Sequence, residues 1–424
     1  MINSIRGFRD IFHPDSAAFA SLEETARRIF RLYGYGELRF PAVEYRELFV
    51  KSTGETTDIV EKEMYTFTDA GGRELALRPE GTPGVVRAYL ENNLHSQDPR
   101  RKLFYIGSMY RAERPQAGRY REFEQIGAEY LGNAHPSADA ESIAMLAAML
   151  KAAGLNSFSA EINSIGCQNC RPKYREELLN FLKANSDSLC ENCKKRIERN
   201  PLRALDCKTD GPRLIETAPK QQLCGECSDH FGKVTEFLRA ANVPFTVNPN
   251  LVRGLDYYSR TVFEFRAGGI GSQDAIGGGG RYDSLVKSMG GPEVPAVGWA
   301  MGADRVINAL AGAGRPGAAP SIFVVSLGDA AVMPSFRLME QIRACGMTAD
   351  SASFSQSMKA QMRAANKSGA RFAVILGEDE IKNSVCAMKD LQTGEQRNVP
   401  LSEPENICKM AAEAPSVEPK PAVN

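Results

Sequence analysis

The sequence predicts a mixed α/β (α+β) protein with an antiparallel sheet core, a helical insertion and a C-terminal α/β domain. Residues 1–162 and 246–316 alternate strand-like segments with turn residues, which is typical of an antiparallel sheet. Residues 163–245 interrupt this pattern with charged, helix-periodic sequence that holds seven of the ten cysteines. After a linker rich in Gly and Pro, residues 320–414 alternate strand and helix patterns, as a separate domain would. A chain of 424 residues is long enough for two or three domains.

The first predicted element is an amphipathic helix that begins near residue 15. Apolar residues recur on one face at helical spacing, namely Phe19, Leu22, Ala26, Ile29, Phe30 and Tyr33. Asp15 or Ser16 is placed to cap the start of the helix, and Gly34 to end it. We expect the apolar face to pack on the core.

Two hairpins are predicted next. The segment MYTFTDAGGRELAL alternates polar and apolar residues on both sides of a Gly-Gly turn. Residues 104–132 predict two longer strands joined by a loop. Because side chains alternate along a strand, Phe123, Gln125 and Glu129 share one face of the second strand, and apolar residues take the other. A ring, an amide and a carboxylate are therefore offered to a pocket.

Strand signals resume after the insertion with FTVNPNLVRGLDYYSRTVFEF, four consecutive glycines and VPAVGWAMGADRVINAL, in which a strand leads into a helix. The sheet is therefore expected to continue across the insertion. In the last domain, SIFVVSL, SQSMKAQMRAANKSG and ARFAVILG belong to a predicted βαβαβ unit. Residues 415–424 have too little apolar content to pack, and we expect a disordered tail.

The composition excludes some classes of protein. The 52 basic and 52 acidic residues cancel, so net charge neither indicates nor excludes a nucleic-acid partner. The sequence has no run of 18 or more apolar residues and no leader-like start, so we expect no membrane association and a cytoplasmic location. Cysteines in such a chain favour reduced thiols, some of them bound to metal, over a disulfide scaffold.

The loop of the second hairpin is the most informative feature. It carries an unusual density of charged residues, which are Arg111, Glu113, Arg114, Arg119 and Arg121. The planar guanidinium group suits phosphate and carboxylate. The loop therefore predicts a site for a polyanion such as a nucleoside triphosphate, and a solvated hairpin tip is the alternative.

Three further segments supply candidate binding residues. Glu80 follows a predicted strand and could bind a substrate ammonium, although such a glutamate is often only solvated. Arg253 precedes the adjacent Tyr257 and Tyr258, of which we expect only one to face a given cavity because strand residues alternate. Arg305 lies in the first turn of a predicted helix, where the helix dipole and the unpaired amides favour a phosphate.

These motifs together resemble those of histidyl-tRNA synthetases, which are class II aminoacyl-tRNA synthetases, over essentially the whole chain. In the order of the family, they read RPEGT, FYIGSMYRAERPQAGRYREFEQIGAEYLG, RGLDYYSRTVFEF, GGGGRYD and VGWAMGADRV. Two positions depart from the family pattern, with Asp304 where Glu is usual and Trp299 where Phe is usual. Neither change removes a charged ligand.

The resemblance implies a histidine–tRNA ligase with a discontinuous catalytic core and a C-terminal anticodon-binding domain. Such an enzyme activates L-histidine with ATP and Mg²⁺ to histidyl-adenylate, releasing diphosphate. It then transfers histidine to the 3′ end of tRNA(His), releasing AMP. The resemblance also implies a homodimer.

The same resemblance assigns residues. Arg111 and Arg253 would hold the α-phosphate and the substrate carboxylate as the catalytic pair. The implied histidine-binding residues are Glu80, Thr82, Arg111, Gln125, Glu129, Arg253, Tyr257 and Tyr258. The implied ATP-binding residues are Arg111, Glu113, Arg119, Phe123 and Arg305, with the Phe123 ring on adenine and Arg305 on the γ-phosphate. Gln116 is a candidate contact for the acceptor end of tRNA.

The cysteine-rich insertion predicts a structural zinc site. Cys167 and Cys170 are separated by 19 residues from Cys190 and Cys193, which is close to a zinc-ribbon spacing. Two four-ligand sites are also arithmetically possible, because further candidates follow, which are Cys207, Cys224, Cys227 and His230. Free buried thiols are the alternative to metal.

A catalytically inactive paralogue is the rival interpretation, such as the histidine-sensing regulatory subunit of ATP phosphoribosyltransferase. Paralogues of that kind typically lose the last domain and the arginines of the ATP site. This chain keeps Arg111, Arg253, Arg305 and the domain after Pro320, so the ligase is favoured.

Overall fold

The computed structural model describes residues 2–54, 57, 59–115, 118–197, 201–205, 207, 209–268, 274–310 and 321–413. The chain divides into two compact units, Met1–Pro316 and Gly317–Asn424. The predicted linker and the predicted disordered tail lie outside the described residues. Within the described part, no helix is long and apolar enough to cross a membrane.

Strands and helices are numbered along the chain. The strands are β1 (Gly36–Glu37), β2 (Val43–Tyr45), β3 (Thr66–Thr68), β4 (Glu74–Leu77), β5 (Arg101–Tyr110), β6 (Glu122–Leu131), β7 (Ser159–Ser164), β8 (Thr246–Val247), β9 (Ser259–Arg266), β10 (Ala275–Arg281), β11 (Ala296–Gly302), β12 (Ile322–Ser326), β13 (Ala349–Ser351), β14 (Phe372–Leu376), β15 (Val385–Asp390) and β16 (Gln396–Pro400). The helices are α1 (Asp15–Leu32), α2 (Arg46–Thr53), α3 (Thr82–Glu91), α4 (Leu94–Gln97), α5 (Pro136–Ala152), α6 (Arg171–Ala184), α7 (Glu191–Arg196), α8 (Gly211–Thr217), α9 (Gly225–Ala240), α10 (Leu285–Ser288), α11 (Ala303–Leu310), α12 (Asp329–Ala344), α13 (Met358–Ser368), α14 (Glu378–Lys382) and α15 (Pro404–Glu413).

An eight-stranded sheet organises the first unit, in the order β1-β5-β6-β11-β10-β9-β7-β8. All pairs from β5 to β7 are antiparallel, whereas the short β1 and β8 pair in parallel at the two edges. The mixed α/β fold with an antiparallel core is therefore confirmed. β7 and β9 are neighbours in the sheet although the insertion separates them in sequence, so the sheet continues across it as predicted.

Both predicted hairpins are present. The first is β3 with β4, which also pairs with β2 in a small three-stranded sheet. The second is β5 with β6, which pair over their full length from Arg101 opposite Leu131 to Tyr110 opposite Glu122. This long regular register fixes which side chains of β6 point to each face of the sheet.

Helices α1, α5, α9 and α11 cover one face of the large sheet. The core between them contains fully buried residues from helices and strands, among them Phe30, Ile126, Ile143, Phe263 and Met301. α1 begins at Asp15 itself, so the predicted cap by Asp15 or Ser16 is wrong, and Asp15 instead lies in the first turn. A carboxylate there is favourable to the helix dipole.

The insertion forms a small helical lobe with its own core. Residues of α6, α7, α8 and the intervening turns make that core, including Tyr174, Leu178, Leu182, Cys193 and Leu214. The returning helix α9 differs, because Val234 and Leu238 belong to the core of the large sheet. Helix α9, which lies in the predicted insertion 163–245, thus packs on the large sheet and not in the lobe.

The second unit contains a five-stranded sheet in the order β13-β12-β14-β15-β16. Its first three strands are parallel and alternate with α12 and α13, so the βαβαβ pattern predicted from the sequence is confirmed. The antiparallel hairpin of β15 and β16 was not predicted. Its signal is the turn at residues 391–395, where Gly394 adopts a φ of +80°.

Candidate active site

A cavity of about 480 Å³ lies on the face of the large sheet opposite α1 and α5. Eleven predicted site residues line it, which are Glu80, Thr82, Arg111, Glu113, Arg119, Phe123, Gln125, Arg253, Tyr257, Tyr258 and Arg305. The volume is within the range of ordinary small-molecule sites. Segments far apart in the sequence therefore meet at one place.

Arg111 and Arg253 reach the cavity from segments that are far apart in the sequence. Arg111 follows β5, donates a hydrogen bond from Nε to the carbonyl oxygen of Pro79 (2.9 Å) and lies over the Phe123 ring, 5.3 Å from its centroid. Arg253 precedes β9 and forms an ion pair with Glu264. Each guanidinium group is thus held in place by a contact within the protein.

Arg305 lines the part of the cavity near Arg119 and Arg111, from the first turn of α11. Its Nη1 donates to the carbonyl oxygen of Ala275 (2.5 Å). Burial lowers the pKa of Arg305, and the nearby positive charges of Arg119 and Arg111 lower it further. Glu113 and Glu264 act in the opposite direction and raise the pKa of Arg305, so cations and carboxylates lie close together around this guanidinium group.

The arginines of the hairpin loop have two different roles, one in the cavity and one in holding the N-terminal segment. Arg119 lines the cavity and forms an ion pair with Glu113 (2.5 Å). Arg121 instead donates to the main-chain oxygens of Glu113 (3.1 Å) and Arg6 (3.3 Å), so it holds the N-terminal segment against the hairpin. Gln116 lies outside the described residues.

Glu80 lines the part of the cavity next to Tyr257. It is 4% exposed and accepts hydrogen bonds from Thr53 Oγ1 (2.9 Å) and Tyr257 OH (2.8 Å). Burial raises the pKa of Glu80. Tyr257 and Tyr258 both line the cavity, so the expectation that only one would do so is wrong. They occupy a turn before β9, where strand alternation does not apply.

Glu129 lies beneath the cavity rather than in its wall. It is fully buried, and its carboxylate accepts hydrogen bonds from Thr82 Oγ1 (2.6 Å) and Tyr282 OH (2.5 Å). Burial raises the pKa of Glu129 to about 8, against the opposing effect of these two donors. The pair of Glu129 and Glu80 therefore gives this end of the cavity two buried carboxyl groups.

Sequence reasoning missed several residues of the site. Glu264 and Arg266 line the cavity, and Glu264 bridges Arg253 to Arg266 (2.7 Å). Their signal was available, because they alternate along β9 with the buried Phe263 and Phe265 and so share the opposite face. The partnership of Tyr282 with Glu129 had no such signal, since it depends on the order of strands in the sheet.

The two departures from the family pattern are both accommodated. Asp304 is buried, pairs with Arg9 and accepts a hydrogen bond from the backbone N–H of Glu124 (3.2 Å). Trp299 is 2% exposed and stacks on Phe30, with 5.9 Å between ring centroids. Asp304 thus ties the N-terminal segment to β6, and Trp299 fills the core behind the site.

The glycines of β10 form the floor of the cavity. A Cβ atom on Gly278 would lie 2.6 Å from the carbonyl oxygen of Phe263 and 3.0 Å from Nη1 of Arg253. A side chain at this position would therefore displace Arg253. The glycine run lets the neighbouring strands and Arg253 approach closely, which is its function in this fold.

The cysteines of the insertion form two clusters, each with its four ligand atoms within 4.8 Å of one another. The clusters are Cys167, Cys170, Cys224 and Cys227, and Cys190, Cys193, Cys207 and Asp210. The predicted zinc set is corrected on this point, because Cys167 and Cys170 lie in a different cluster from Cys190 and Cys193. The CxxC pairs were visible in the sequence, but which pairs meet depends on the fold of the lobe. His230 belongs to neither cluster and lies 3.4 Å from Asp139.

The charges of the cavity are arranged in two parts. One part is lined by Arg111, Arg119 and Arg305, which suits a triphosphate. The other part has Glu80 and the tyrosines, which suits a small cationic or hydrogen-bonding group. Carboxylates in the wall, such as Asp274, offer the oxygen ligands that Mg²⁺ prefers when it is bound together with phosphates.

Comparisons with known proteins agree with this geometry. The sequence profile described as "Histidyl-tRNA synthetase" matches residues 7–306, and the profile described as "Anticodon binding domain" matches residues 321–410. The chain is 55% identical over 403 residues to the histidine–tRNA ligase of Elusimicrobium minutum (strain Pei191), covering 95% of this chain and 98% of that protein. It is 47% identical to that of Pelotomaculum thermopropionicum (strain DSM 13744 / JCM 10971 / SI), covering 93% and 95%.

A solved structure gives the same result. The apo histidyl-tRNA synthetase of S. aureus matches with a TM-score of 0.78 at 32% sequence identity, covering 96% of this chain and 99% of that one. The inactive-paralogue interpretation is not favoured, because the relatives of high identity are ligases. The match spans both compact units, and the chain belongs to the histidyl-tRNA synthetase family.

Proposed function

We propose that this chain activates L-histidine with ATP to histidyl-adenylate and transfers the histidyl group to the 3′ end of tRNA(His). The observation that carries the proposal is the convergence of Arg111, Arg253 and Arg305 on one cavity that also contains Glu80. A protein that only sensed histidine would need the carboxylate end of the cavity and would have no use for a site for phosphates.

In the first step, an oxygen of the histidine carboxylate attacks the α-phosphorus of ATP, and the bond to the β-phosphate oxygen breaks. Negative charge accumulates on the oxygens of the α-phosphate and on the leaving diphosphate. Arg111 and Arg253 are assigned to the α-phosphate and the carboxylate, and Arg305 to the γ-phosphate. Guanidinium groups already fixed by Pro79 and Glu264 need no reorganisation as the charge develops.

The adenine end of ATP is assigned to Phe123, Glu113 and Arg119. Phe123 lines the cavity, and stacking of a base on an aromatic ring contributes about 1 to 3 kcal/mol. Glu113 and Arg119 are already paired with each other (2.5 Å), so both are oriented before ATP binds. Mg²⁺, held by wall carboxylates such as Asp274, would offset the negative charge of the phosphates when bound.

Histidine is assigned to the carboxylate end. Glu80, Thr82, Gln125, Tyr257 and Tyr258 line this end and offer hydrogen-bonding groups to the ammonium and the imidazole, and Glu129 supports them from beneath through the hydrogen bond that it accepts from Thr82. Buried polar groups of this kind reject amino acids that cannot satisfy them. The raised pKa of Glu129, about 8, means that a bound cationic group would draw this carboxyl toward its ionised form.

In the second step, a ribose hydroxyl of tRNA attacks the carbonyl carbon of histidyl-adenylate, and AMP leaves. Gln116 is assigned to the acceptor end of tRNA, and residues 320–414 to the anticodon, which the profile match at residues 321–410 supports. We also propose a homodimer and a cytoplasmic location, where tRNA is used in translation.

Histidine-dependent exchange of labelled diphosphate into ATP tests the first step. We expect exchange with the wild-type protein and a loss of about 10²- to 10³-fold in Arg253→Ala, the usual effect of removing one donor to a developing anion. Arg39→Ala is the matched control, because Arg39 lies on the surface with a side chain 79% exposed. Wild-type protein that binds histidine but exchanges no diphosphate would refute the proposal and support a sensor.

A further inference from the structure

The two ends of the insertion are joined by one cysteine cluster, which we call the neck cluster. Its members are Cys167, Cys170, Cys224 and Cys227. The first two follow β7, where the chain leaves the sheet, and the other two stand at the start of α9, where it returns. The four sulfur atoms lie within 4.8 Å of one another, so the cluster closes the base of the lobe.

The spacing of the sulfur atoms is that of a tetrahedral metal site. The distances are 3.5 Å between Cys167 and Cys170, 3.9 and 3.8 Å from these two to Cys224, and 3.7 Å from Cys170 to Cys227. Four sulfurs at about 2.3 Å from a central Zn²⁺ would lie about 3.8 Å apart. A disulfide would require about 2.05 Å, and all four cysteines are free.

The backbone around the cluster is shaped to support thiolates. The N–H of Cys167 donates to Sγ of Cys170 (3.1 Å), and the N–H of Asn169 donates to Sγ of Cys167 (3.4 Å). Gly166 adopts a φ of +71°, and a Cβ there would lie 2.8 Å from Sγ of Cys170. Donors directed at the ligand atoms are the usual support of a metal site.

We propose that the neck cluster binds one structural Zn²⁺ through four thiolates, and that this ion positions the histidine end of the active site. Four protein ligands leave no open coordination position, so the ion has no direct part in the chemistry. Tetrahedral coordination by sulfur also favours zinc over the hard divalent cations Mg²⁺ and Ca²⁺, which prefer oxygen ligands.

Two hydrogen bonds connect the cluster with the site. Arg171 follows Cys170 directly, and its Nη1 donates to the carbonyl oxygen of Tyr258 (2.7 Å). The N–H of Arg260 donates to the carbonyl oxygen of Gly166 (2.8 Å). The ion would hold the segment 166–171 rigid, and this segment in turn holds the turn that places Tyr258 in the cavity.

The second cluster carries a companion site on independent geometry. Cys190, Cys193, Cys207 and Asp210 meet within 4.8 Å, and the sulfurs of Cys190 and Cys207 are 3.8 Å apart. Asp210 is 3% exposed and is oriented by a hydrogen bond that it accepts from the N–H of Cys190 (2.9 Å). Three thiolates and one carboxylate form a complete set of zinc ligands, and the ion would lie in the core of the lobe.

Metal analysis of the purified full-length protein tests both sites. We expect about two zinc ions per chain in the wild type, and one fewer in each of Cys224→Ser and Cys207→Ser. Cys345→Ser is the matched control and should keep both, because Cys345 is an exposed cysteine of the second unit. Absence of metal from the wild type, iron in place of zinc, or unchanged zinc in the two cluster variants would overturn the proposal.

A spectroscopic measurement on the wild-type protein tests thiolate coordination without relying on cysteine variants, which could fail to fold. Wild-type protein produced with Co²⁺ in place of zinc should show the strong near-ultraviolet absorption of thiolate-to-cobalt charge transfer and the visible bands of tetrahedral cobalt. Visible bands typical of octahedral cobalt, or no charge-transfer band, would contradict thiolate coordination.

The positioning role needs its own readout. Arg171→Met removes the link to Tyr258 and leaves every metal ligand in place. We expect unchanged zinc content and histidine binding about tenfold weaker by calorimetry, with ATP binding unchanged. Lys173→Met, on the same helix and 75% exposed, should bind histidine normally. Unchanged histidine affinity in Arg171→Met would refute the positioning role. The measurement of histidine affinity rests on the proposed function, whereas the measurement of zinc content does not. Failure of the proposed function can therefore be distinguished from failure of the zinc proposal.

Discussion

Replacing Glu129 with Gln tests whether the carboxyl beneath the cavity keeps its proton in the folded protein. Glu129 is fully buried between the hydroxyl groups of Thr82 and Tyr282, and its pKa is raised to about 8 by burial. Gln has nearly the same shape and cannot ionise. The difference between the two proteins therefore isolates the cost of ionising this one group.

The sign and size of the effect follow from the shift in pKa. In the unfolded chain the pKa of this carboxyl returns to its ordinary value of 4.5. Between that pH and pH 8 the folded protein binds one proton more than the unfolded chain, so the stability due to this proton is complete below pH 4.5 and is lost as pH rises through 8. Since one pKa unit corresponds to about 1.4 kcal/mol, the full loss is about 5 kcal/mol.

Urea-induced unfolding between pH 5 and 9 measures this difference. The only tryptophan of the chain is Trp299, which is buried in the core behind the site, so its fluorescence reports the unfolding of the first unit. We expect Glu129→Gln to gain stability relative to the wild type by about 4 kcal/mol between pH 5 and pH 9, because part of the full loss already occurs below pH 5. Glu24→Gln, at an exposed carboxyl on α1, serves as control and should follow the wild type. A stability difference between Glu129→Gln and wild type that stays constant from pH 5 to 9 would refute the reasoning.

Three further substitutions have defined outcomes. Gly298→Ala would place its Cβ 1.7 Å from a carboxylate oxygen of Glu129 and should lower the free energy of unfolding by up to about 3 kcal/mol. Gly232→Ala in α9 is the control, because a Cβ there meets open space, and it should raise the free energy of unfolding slightly. Equal effects of the two substitutions in urea titrations would contradict this prediction. Arg281→Met should cost about 3 to 5 kcal/mol because it removes the guanidinium group that pairs with the fully buried Asp139, and adding Asp139→Leu should recover part of the loss. A neutral single variant would show that the pair is not needed. Phe123→Leu should raise the KM for ATP in the exchange assay about tenfold and leave the KM for histidine unchanged, and equal changes in both would argue against adenine stacking.

The sequence was sufficient to predict the architecture because the relevant signals are local. The alternation in residues 122–131 identifies both faces of β6, and the ordered motifs place Arg111, Arg253 and Arg305 at the ends of predicted elements. Such patterns depend only on neighbours in the chain and on the geometry of a strand or helix.

Contacts between elements could not be predicted, because sequence patterns of this kind depend only on neighbouring residues. Glu264 reaches Arg253 across a turn, and Tyr282 reaches Glu129 only because β10 and β6 flank β11 in the sheet. The periodicity of apolar residues along the chain determines neither the order of the strands in the sheet nor the folding of the insertion. The assignment of Cys167 and Cys170 to a cluster with the cysteines of α9 is the same kind of long-range information.

The glycine floor of the cavity limits how the binding site can change. Gly277 and Gly278 of β10 present peptide groups to the ligand, and peptide groups are the same whatever mutations arise. Any residue larger than glycine at position 278 would collide with the next strand and with Arg253. Changes in ligand preference should therefore arise in the side walls of the cavity. A design that is to admit a bulkier amino acid should change Glu80 or Tyr257 and leave the glycines of the floor unchanged.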